Sequence, residues 1–570
     1  MLEKLLFKER WVELVWSHSG DFVGNLVICL ICSSTTVSFR SEMYQLCLYL
    51  VVLLVFYQIS VQCLNLNVTS KTRPNIVMVM SDAFDGRLTF APGRDVVQLP
   101  NINYMRELGA IFLNSYTNSP ICCPSRAAMW SGRFVHLTQS WNNYKCLDHN
   151  ATTWMDQLQQ SGYRTLSLGK LDFKSGSHSV SNRVEAWTRD VHFRLRQEGR
   201  PVVDLVHNSS TVRVMTNDWK NTDIASEWIR RSTAQSQPFA LYLGLNLPHP
   251  YKTDSLGPDA GGSTFRTSPY WLKKVSYEHI SVPKWLPFSE MHPVDYYSTL
   301  TKNCSSSFSQ EEIRNIRAYY YAMCAETDSM LGEVISALRD TGLLNSTVLL
   351  FTSDHGELAM EHRQFYKMSM FEGSSHVPLV IMGPGIKSGV QLSQPVSLVD
   401  VYPTVMELAG IPSPGGLSGF SLLPLLSGSN GSRPNWVLSE YHGCNANAST
   451  YMLRMDHWKY IAYADGTSVP PQLFDLSKDK EELKNLASSL PEVVQYLDLL
   501  LRSAVDYPSV SKEVHLYNKQ EFLSWRQSLG SNYTQVIASL RWHLDWQRDP
   551  QRNEKAIDEW LMGLHSRFSS

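Results

Sequence analysis

Apolar residues along this chain recur in short runs that end on polar or acidic residues. "PNIVMVMSDAFDG" (74–86) carries an apolar run from Ile76 to Met80 and then Ser81-Asp82. A short run rich in β-branched residues, closed by polar residues and a glycine, predicts a buried strand whose C-terminal end delivers Asp82. "TVLLFTSDHGE" (347–357) repeats the design, with a strand Thr347–Phe351 followed by Ser353, Asp354, His355 and Gly356. "FALYLGLNLPHPY" (239–251) is a third such run, with His249 just beyond it, and "HVPLVIMGPG" (376–385) is a fourth. Helical patterns fall between them, among them "IRNIRAYYYAMCAETDSMLGEVISALRDTG" (313–342), with Gly342 as its C-cap. Strands alternating with helices predict an α/β sheet, and such sheets place their sites beyond strand C-termini. The strand ends bearing Asp, Asp-His and His are therefore expected to meet in one site.

The pattern changes at "PSPGGLSG" (412–419). Beyond it, "YMLRMDHWKYIAYADG" and "PQLFDLSKDKEELKNLA" predict strands of a smaller domain leading into helices. The charged run Lys478–Lys484 reads as a solvated helix face. The expected organisation is a catalytic domain over 74–412 and a C-terminal α+β domain over 413–570, with no internal repeat.

The N-terminal segment bears on compartment. "YQLCLYLVVLLVFY" (44–57) is an uncharged apolar run. Started at Met43 it reads as a signal peptide, 43–63, cleaved near Cys63, with 1–42 an upstream extension. The competing reading is a membrane anchor with Lys4, Lys8 and Arg10 on its N-terminal side. The shortness of the run and the small polar residues after it favour cleavage, which leaves no stable membrane span in the mature form. Asn-x-Ser/Thr acceptors at Asn67, Asn150, Asn208, Asn303, Asn345, Asn430, Asn447 and Asn532 fit a glycosylated lumenal protein. Beyond the leader only Cys122, Cys123, Cys146, Cys304, Cys324 and Cys444 remain, too few for a disulfide scaffold, and their pairing is not legible. A formal net charge of -2 gives no electrostatic case for nucleic acid.

The chemistry is carried by "NSPICCPSRAAMWSGR" (118–133), where Cys122 and Cys123 precede Pro124, Ser125 and Arg126. Neighbouring cysteines are poorly placed to bridge one another, and the plain alternative is two buried apolar side chains. Cys122-x-Pro124-Ser125-Arg126, followed by Ser131-Gly132-Arg133, resembles the signature of the sulfatases, and the resemblance runs over about residues 74–490. In that family the first cysteine is oxidised in the endoplasmic reticulum to Cα-formylglycine by a dedicated generating enzyme. The need is chemical. No encoded side chain offers an aldehyde, whose hydrate supplies one hydroxyl to attack sulfur and a second to expel sulfate afterwards.

The resemblance implies an alkaline-phosphatase-like fold: a large mixed, mostly parallel sheet sandwiched by helices, with the smaller C-terminal domain. It also implies one Ca²⁺, held by Asp82, Asp354, His355 and the formylglycine at Cys122, since hard carboxylate oxygens select such a cation. The chain departs from the family in carrying His355 where many members have Asn, and Ala83 where a second Asp is common. Asp85 is the candidate to compensate. Arg126 is expected to hold the formylglycine, and Lys170 in "LGKLDF" to bind a sulfate oxygen. Asp172 stands where the family places a His. Lys367 in "QFYKMSM" is expected to bind sulfate and, with a protonated His249, to protonate the leaving alcohol, giving an acidic optimum. His292 in "EMHPVDYY" is a substrate-pocket candidate, and Arg87, His362 and His376 are weaker ones.

"SNRVEAWTRDV" (181–191) and "LGLNLPHPY" (243–251) resemble a lysosomal and secreted branch of the family. That branch removes 2-O-sulfate from glucuronate in glycosaminoglycans such as heparan, chondroitin and dermatan sulfate, and composition and periodicity supply no such substrate. Two other classes stay open at this level: a zinc phosphatase or phosphodiesterase on the same scaffold, and an inactive glycan-binding relative.

Overall fold

The computed structural model describes residues 6–7, 10–11, 73–174, 198–206, 208–252, 262–429, 432–443, 448–539 and 549–562. The expected signal segment 43–63, the run 181–191, Cys444 and the acceptors Asn67, Asn430 and Asn447 lie outside them. The chain divides into two units, Met1–Thr72 and Arg73–Ser570. In the first, Leu6–Phe7 pairs antiparallel with Arg10–Trp11. The second unit holds all the remaining described elements.

Its main sheet has seven strands: β1 (Asn75–Asp82), β2 (Gly109–Phe112), β3 (Arg164–Gly169), β4 (Phe239–Pro248), β5 (Thr347–Ser353), β6 (Leu379–Met382) and β7 (Val390–Leu392). They lie in the order β7-β2-β6-β5-β1-β4-β3. β3, β4, β1 and β5 run parallel to one another. The near-continuous apolar sequences of β4, β1 and β5 follow from burial on both faces, whereas β3, at the sheet edge, alternates and is only half-buried. Odd positions such as Val77, Val79, Leu241 and Phe351 pack on α2 (Thr216–Arg231) and α3 (Gln310–Asp340), while α1 (Cys122–Ser131) covers the opposite face. Met78, Met80, Tyr242 and Leu350 pack on the other side against α1 and α4 (Val401–Leu408).

The fourth predicted strand runs the other way. β6 is antiparallel to β5, with Leu379 opposite Thr352. The strand therefore begins, rather than ends, at the edge where Asp354 emerges. The long helix is observed from Gln310 to Asp340, opened by a capping box between Ser309 and Glu312. Gly342 follows Thr341 with φ 71°, the left-handed turn-off that glycine accepts without strain.

A second sheet, β8 (Trp436–Tyr441), β9 (Thr450–Met455), β10 (Trp458–Tyr463) and β11 (Gln472–Asp475), is an antiparallel meander. The helix Pro491–Ala504 buries Leu497 and Leu501 against it. It is joined to the larger body by Lys459, whose fully buried ammonium meets Glu372 and Glu482 at 2.7 Å each and donates to the Met370 carbonyl at 2.8 Å. This corrects the reading of 478–484 as a helix face. The segment is a series of turns, and Glu482, at φ 52°, is turned inward to Lys459. A buried lysine needs carboxylates beside it, and that demand overrides a solvated helix here. Among the described residues no helix is long and apolar enough to cross a membrane.

Candidate active site

The four parallel strands bring their following residues to one edge: Asp82 ends β1, Lys170 follows β3, His249 follows β4, and Asp354-His355 follow β5. α1 starts at Cys122, so the thiol sits on the first turn of a helix, where exposed N–H groups favour a negative atom. One ligand atom from each of Asp82, Cys122, Asp354 and His355 lies within 4.8 Å of the others, all in buried side chains.

The details are those of a cation site. His355 Nδ1–H donates to the Gly356 carbonyl at 2.9 Å, which leaves Nε2 facing Asp82 Oδ1 at 3.2 Å and Cys122 Sγ at 3.4 Å. Asp82 Oδ1 is buried and receives no hydrogen bond. Three lone-pair atoms thus converge on one point and call for positive charge between them. Burial alone lowers the His355 imidazole, but Asp354 and Asp82 beside it raise it to about 9.

Arg126 ties the site together. Its Nε donates to Asp354 Oδ2 at 2.8 Å and its Nη1 to the Lys170 carbonyl at 2.9 Å and the Tyr242 hydroxyl at 2.8 Å. Its Nη2 is buried without a partner. Asp354 Oδ1 accepts from its neighbour His355 N–H at 2.9 Å and from Ala83 N–H at 3.3 Å. Ala83 therefore offers a backbone donor, held at φ 68°. Lys170 Nζ pairs with Asp82 Oδ2 and lies 3.7 Å from Asp172. Burial opposes its charge, and Asp82 more than restores it. Burial and Asp82 push the Cys122 thiol up, while Lys170, Lys367 and His355 together hold it well below its usual range.

Lys367 Nζ donates to His249 Nε2, and His249 Nδ1–H donates to the Pro250 carbonyl at 2.8 Å. Burial, then the neighbouring ammonium, push His249 down to about 3. In this arrangement both ring nitrogens of His249 are committed in the neutral form, which disfavours the protonated His249 expected for mildly acidic solution.

Asp85 does not join the cation group. Its oxygens accept from Arg87 Nε at 3.0 Å and Nη2 at 2.7 Å, and Arg87 reaches on to Glu361 at 2.9 Å. His292 caps the helix Pro293–Thr301, donates Nε2–H to the Pro470 carbonyl at 2.9 Å and stacks on Tyr463 with centroids 4.7 Å apart. It lines a cavity of about 190 Å³ with Glu290, Gln472 and Asn485. His362 stacks on Phe371 and is pushed to about 3 by burial, and His376 is bound to Glu372 at 2.9 Å. Cys123 is bridged to Cys146, with Cα atoms 5.7 Å apart, while Cys122 stays unbridged. Asn150, Asn208, Asn345 and Asn532 are exposed, and Asn303 is half-buried. Tyr242 and Lys302 were not singled out in the sequence: Tyr242 reads as one more position of the apolar β4 run and Lys302 as the residue after a helix, and each takes its role from distant partners.

A family model described as Sulfatase matches residues 74–411, and one described as N-sulphoglucosamine sulphohydrolase, C-terminal, matches 360–503. The chain belongs to the sulfatase family, and it is an enzyme that hydrolyses sulfate esters. It is 73% identical over 519 residues to arylsulfatase K of Danio rerio, covering 90% of this chain and 99% of that one. It is 64% identical over 496 residues to arylsulfatase K of Bos taurus, covering 86% and 92%. Among solved structures, a phosphonate monoester hydrolase from Silicibacter pomeroyi shares the fold, with TM-score 0.60 and 19% identity over 76% of this chain and 96% of that one. Family membership selects sulfate ester hydrolysis over the phosphodiesterase reading of the same scaffold.

Proposed function

We propose that this sulfatase removes 2-O-sulfate from uronate residues of glycosaminoglycans, and also cleaves aryl sulfates, with formylglycine formed at Cys122 as the nucleophile. The observation that carries the catalytic part is the meeting of an unbridged Cys122 with Asp82, Asp354 and His355 in one buried group. The uronate part rests on the sequence resemblance and on the high identity to arylsulfatase K over most of the chain.

The residues present fit a divalent cation, since the convergent lone pairs include an otherwise unsatisfied carboxylate oxygen. Asp82, Asp354, His355 and the oxygen at position 122 would hold it, and two carboxylates favour Ca²⁺. When bound, such an ion withdraws charge from sulfate oxygens and acidifies the attacking hydroxyl. The chain's own groups do the rest. Lys170 pairs with Asp82 from the β3 side, and Arg126 on α1 holds Asp354 through Nε and keeps a buried Nη2 without a partner. Neutral His249 accepts from Lys367 and so fixes where that ammonium points. The proton for a departing sugar hydroxyl, a poor leaving group, comes from Lys367. Maturation needs the formylglycine-generating enzyme, and the leader and exposed glycan acceptors support delivery through the endoplasmic reticulum to the lysosome and the exterior.

The test is sulfate release from a 2-O-sulfated uronate disaccharide, a 6-O-sulfated glucosamine disaccharide, an aryl sulfate and an aryl phosphate. Hydrolysis of the first and third alone is expected. Release from the glucosamine ester instead of the uronate ester would overturn the substrate reading.

A further inference from the structure

Lys367 follows a backbone that ordinary residues avoid. Ala359, Met360, His362, Arg363, Tyr366 and Met368 all have φ between 44° and 77°. Non-glycine residues hold such angles only where their surroundings over-determine them. Here Glu357 Oε1 accepts from the N–H groups of Ala359 at 3.1 Å and Tyr366 at 2.5 Å. Arg317 donates to the Ala359 carbonyl at 2.9 Å and Trp285 Nε1 to the Met360 carbonyl at 2.7 Å. These contacts fix the start of the loop and Tyr366.

At Lys367 itself the grip comes from a second lysine. Lys302 is fully buried, and its Nζ donates to the Lys367 carbonyl at 2.5 Å and to Gln364 Oε1 at 2.8 Å. Its own backbone is fixed at the end of the helix Pro293–Thr301, where its N–H donates to the Ser298 carbonyl at 2.9 Å. An ammonium is a costly way to fill an apolar space, and an uncharged side chain of that length would pack as well. Burial alone pulls against its charge, and Glu357, Asp295 and Glu198 act to retain it. What the charge adds is a directed bond to one peptide carbonyl.

We propose that Lys302 is a positioning residue for Lys367: by fixing the Lys367 carbonyl it aims the Lys367 ammonium at His249 Nε2 and at the leaving oxygen of the ester. This rests on the reading of Lys367 as the leaving-group acid. Lys302→Met, Lys367→Ala and the double variant are compared on a nitrophenyl sulfate and on a 2-O-sulfated uronate disaccharide. Lys302→Met is expected to lower kcat on the sugar ester by about 10²-fold with KM little changed, the scale of a misplaced reacting group. The loss on the nitrophenyl ester is expected to be several-fold smaller, and the double variant no worse than Lys367→Ala. If Lys302→Met does not fold, Lys302→Gln, whose shorter side chain lacks the ammonium that holds the Lys367 carbonyl, is read in the same way. Equal losses on both esters, or losses that add to those of Lys367→Ala, overturn the proposal while the reading of Lys367 stands. If Lys367→Ala alone loses equally on both esters, that reading falls and the proposal with it.

Discussion

Arg126 Nε and Asp354 Oδ2 stand 2.8 Å apart with neither side chain reaching solvent. Removing one partner strands the other charge in the interior. Arg126→Ala is expected to cost about 3–5 kcal/mol of stability, the usual penalty for half of a buried pair. It should also abolish turnover, since Asp354 Oδ2 and the Lys170 carbonyl both lose the Arg126 donor. Chemical denaturation checks the first, and a sulfate-release assay the second.

Asp82→Asn is nearly isosteric, yet it removes half of the negative charge facing His355 Nε2. Turnover is expected to vanish while the unfolding midpoint moves by a few degrees at most, because the Asp82 carboxylate stands at the strand end beside Lys170 and His355, outside the apolar core. Wild-type enzyme treated with a chelator should regain activity with calcium. Better recovery with zinc would reassign the ion.

Neutral His249 changes the expected pH profile. Its pKa is pushed to about 3, so it loses no proton between mildly acidic and neutral pH. His249→Gln should therefore lower kcat without removing any limb of the pH–rate profile in that range. Disappearance of a limb near the ordinary histidine value, about 6.5, would restore the protonated form as the acid. His249→Ala should impair the sugar ester more than an aryl ester, because Lys367 loses the acceptor that aims it.

His136 Nδ1 binds Glu440 Oε1 at 2.8 Å. Burial opposes charge on both, but each stabilises the other: His136 is raised above 6.5, and Glu440 is lowered from 4.5 to about 2. The raised histidine contributes stability fully present below 6.5 and lost as pH rises through its folded value. The lowered carboxylate contributes stability present above 4.5 and lost as pH falls through about 2. Both terms are full in mildly acidic solution. His136→Gln should therefore lower the melting temperature more at about pH 5.5 than at about pH 8.5. An equal drop at both would show that the pair does not titrate in this way.

The two adjacent cysteines should separate cleanly. Cys122→Ser should fold and hydrolyse no sulfate ester. Cys123→Ala opens a bridge spanning 23 residues and should cost about 3 kcal/mol. Peptide mass spectrometry should still find the aldehyde at 122 in that variant.

Much of this was legible because β1, β4 and β5 are short apolar runs whose final polar residues are the functional ones. Periodicity locates such ends without knowledge of neighbours. Direction was not legible for β6, since a four-residue strand reads the same either way. Nor was the fate of Asp85, because an acid near a strand end suits a cation or an arginine equally, and Arg87 stands two residues on. His249 shows the same limit: its type and place were readable, but its protonation is set by Lys367, distant in sequence. Glu482 was misread because a charged run in isolation looks solvated, and the buried Lys459 that claims it lies on another strand.

The two matched family regions overlap between residues 360 and 411, and Glu372 falls in the overlap. Glu372 shares the Lys459 ammonium with Glu482, so a chain severed before the meander keeps an acid in its interior and discards the counter-charge. The small sheet is consequently not an exchangeable cassette. Any recombination that replaced it would have to import a lysine and a glutamate in register or lose the acid as well, which binds the inheritance of the C-terminal segment to that of the catalytic body.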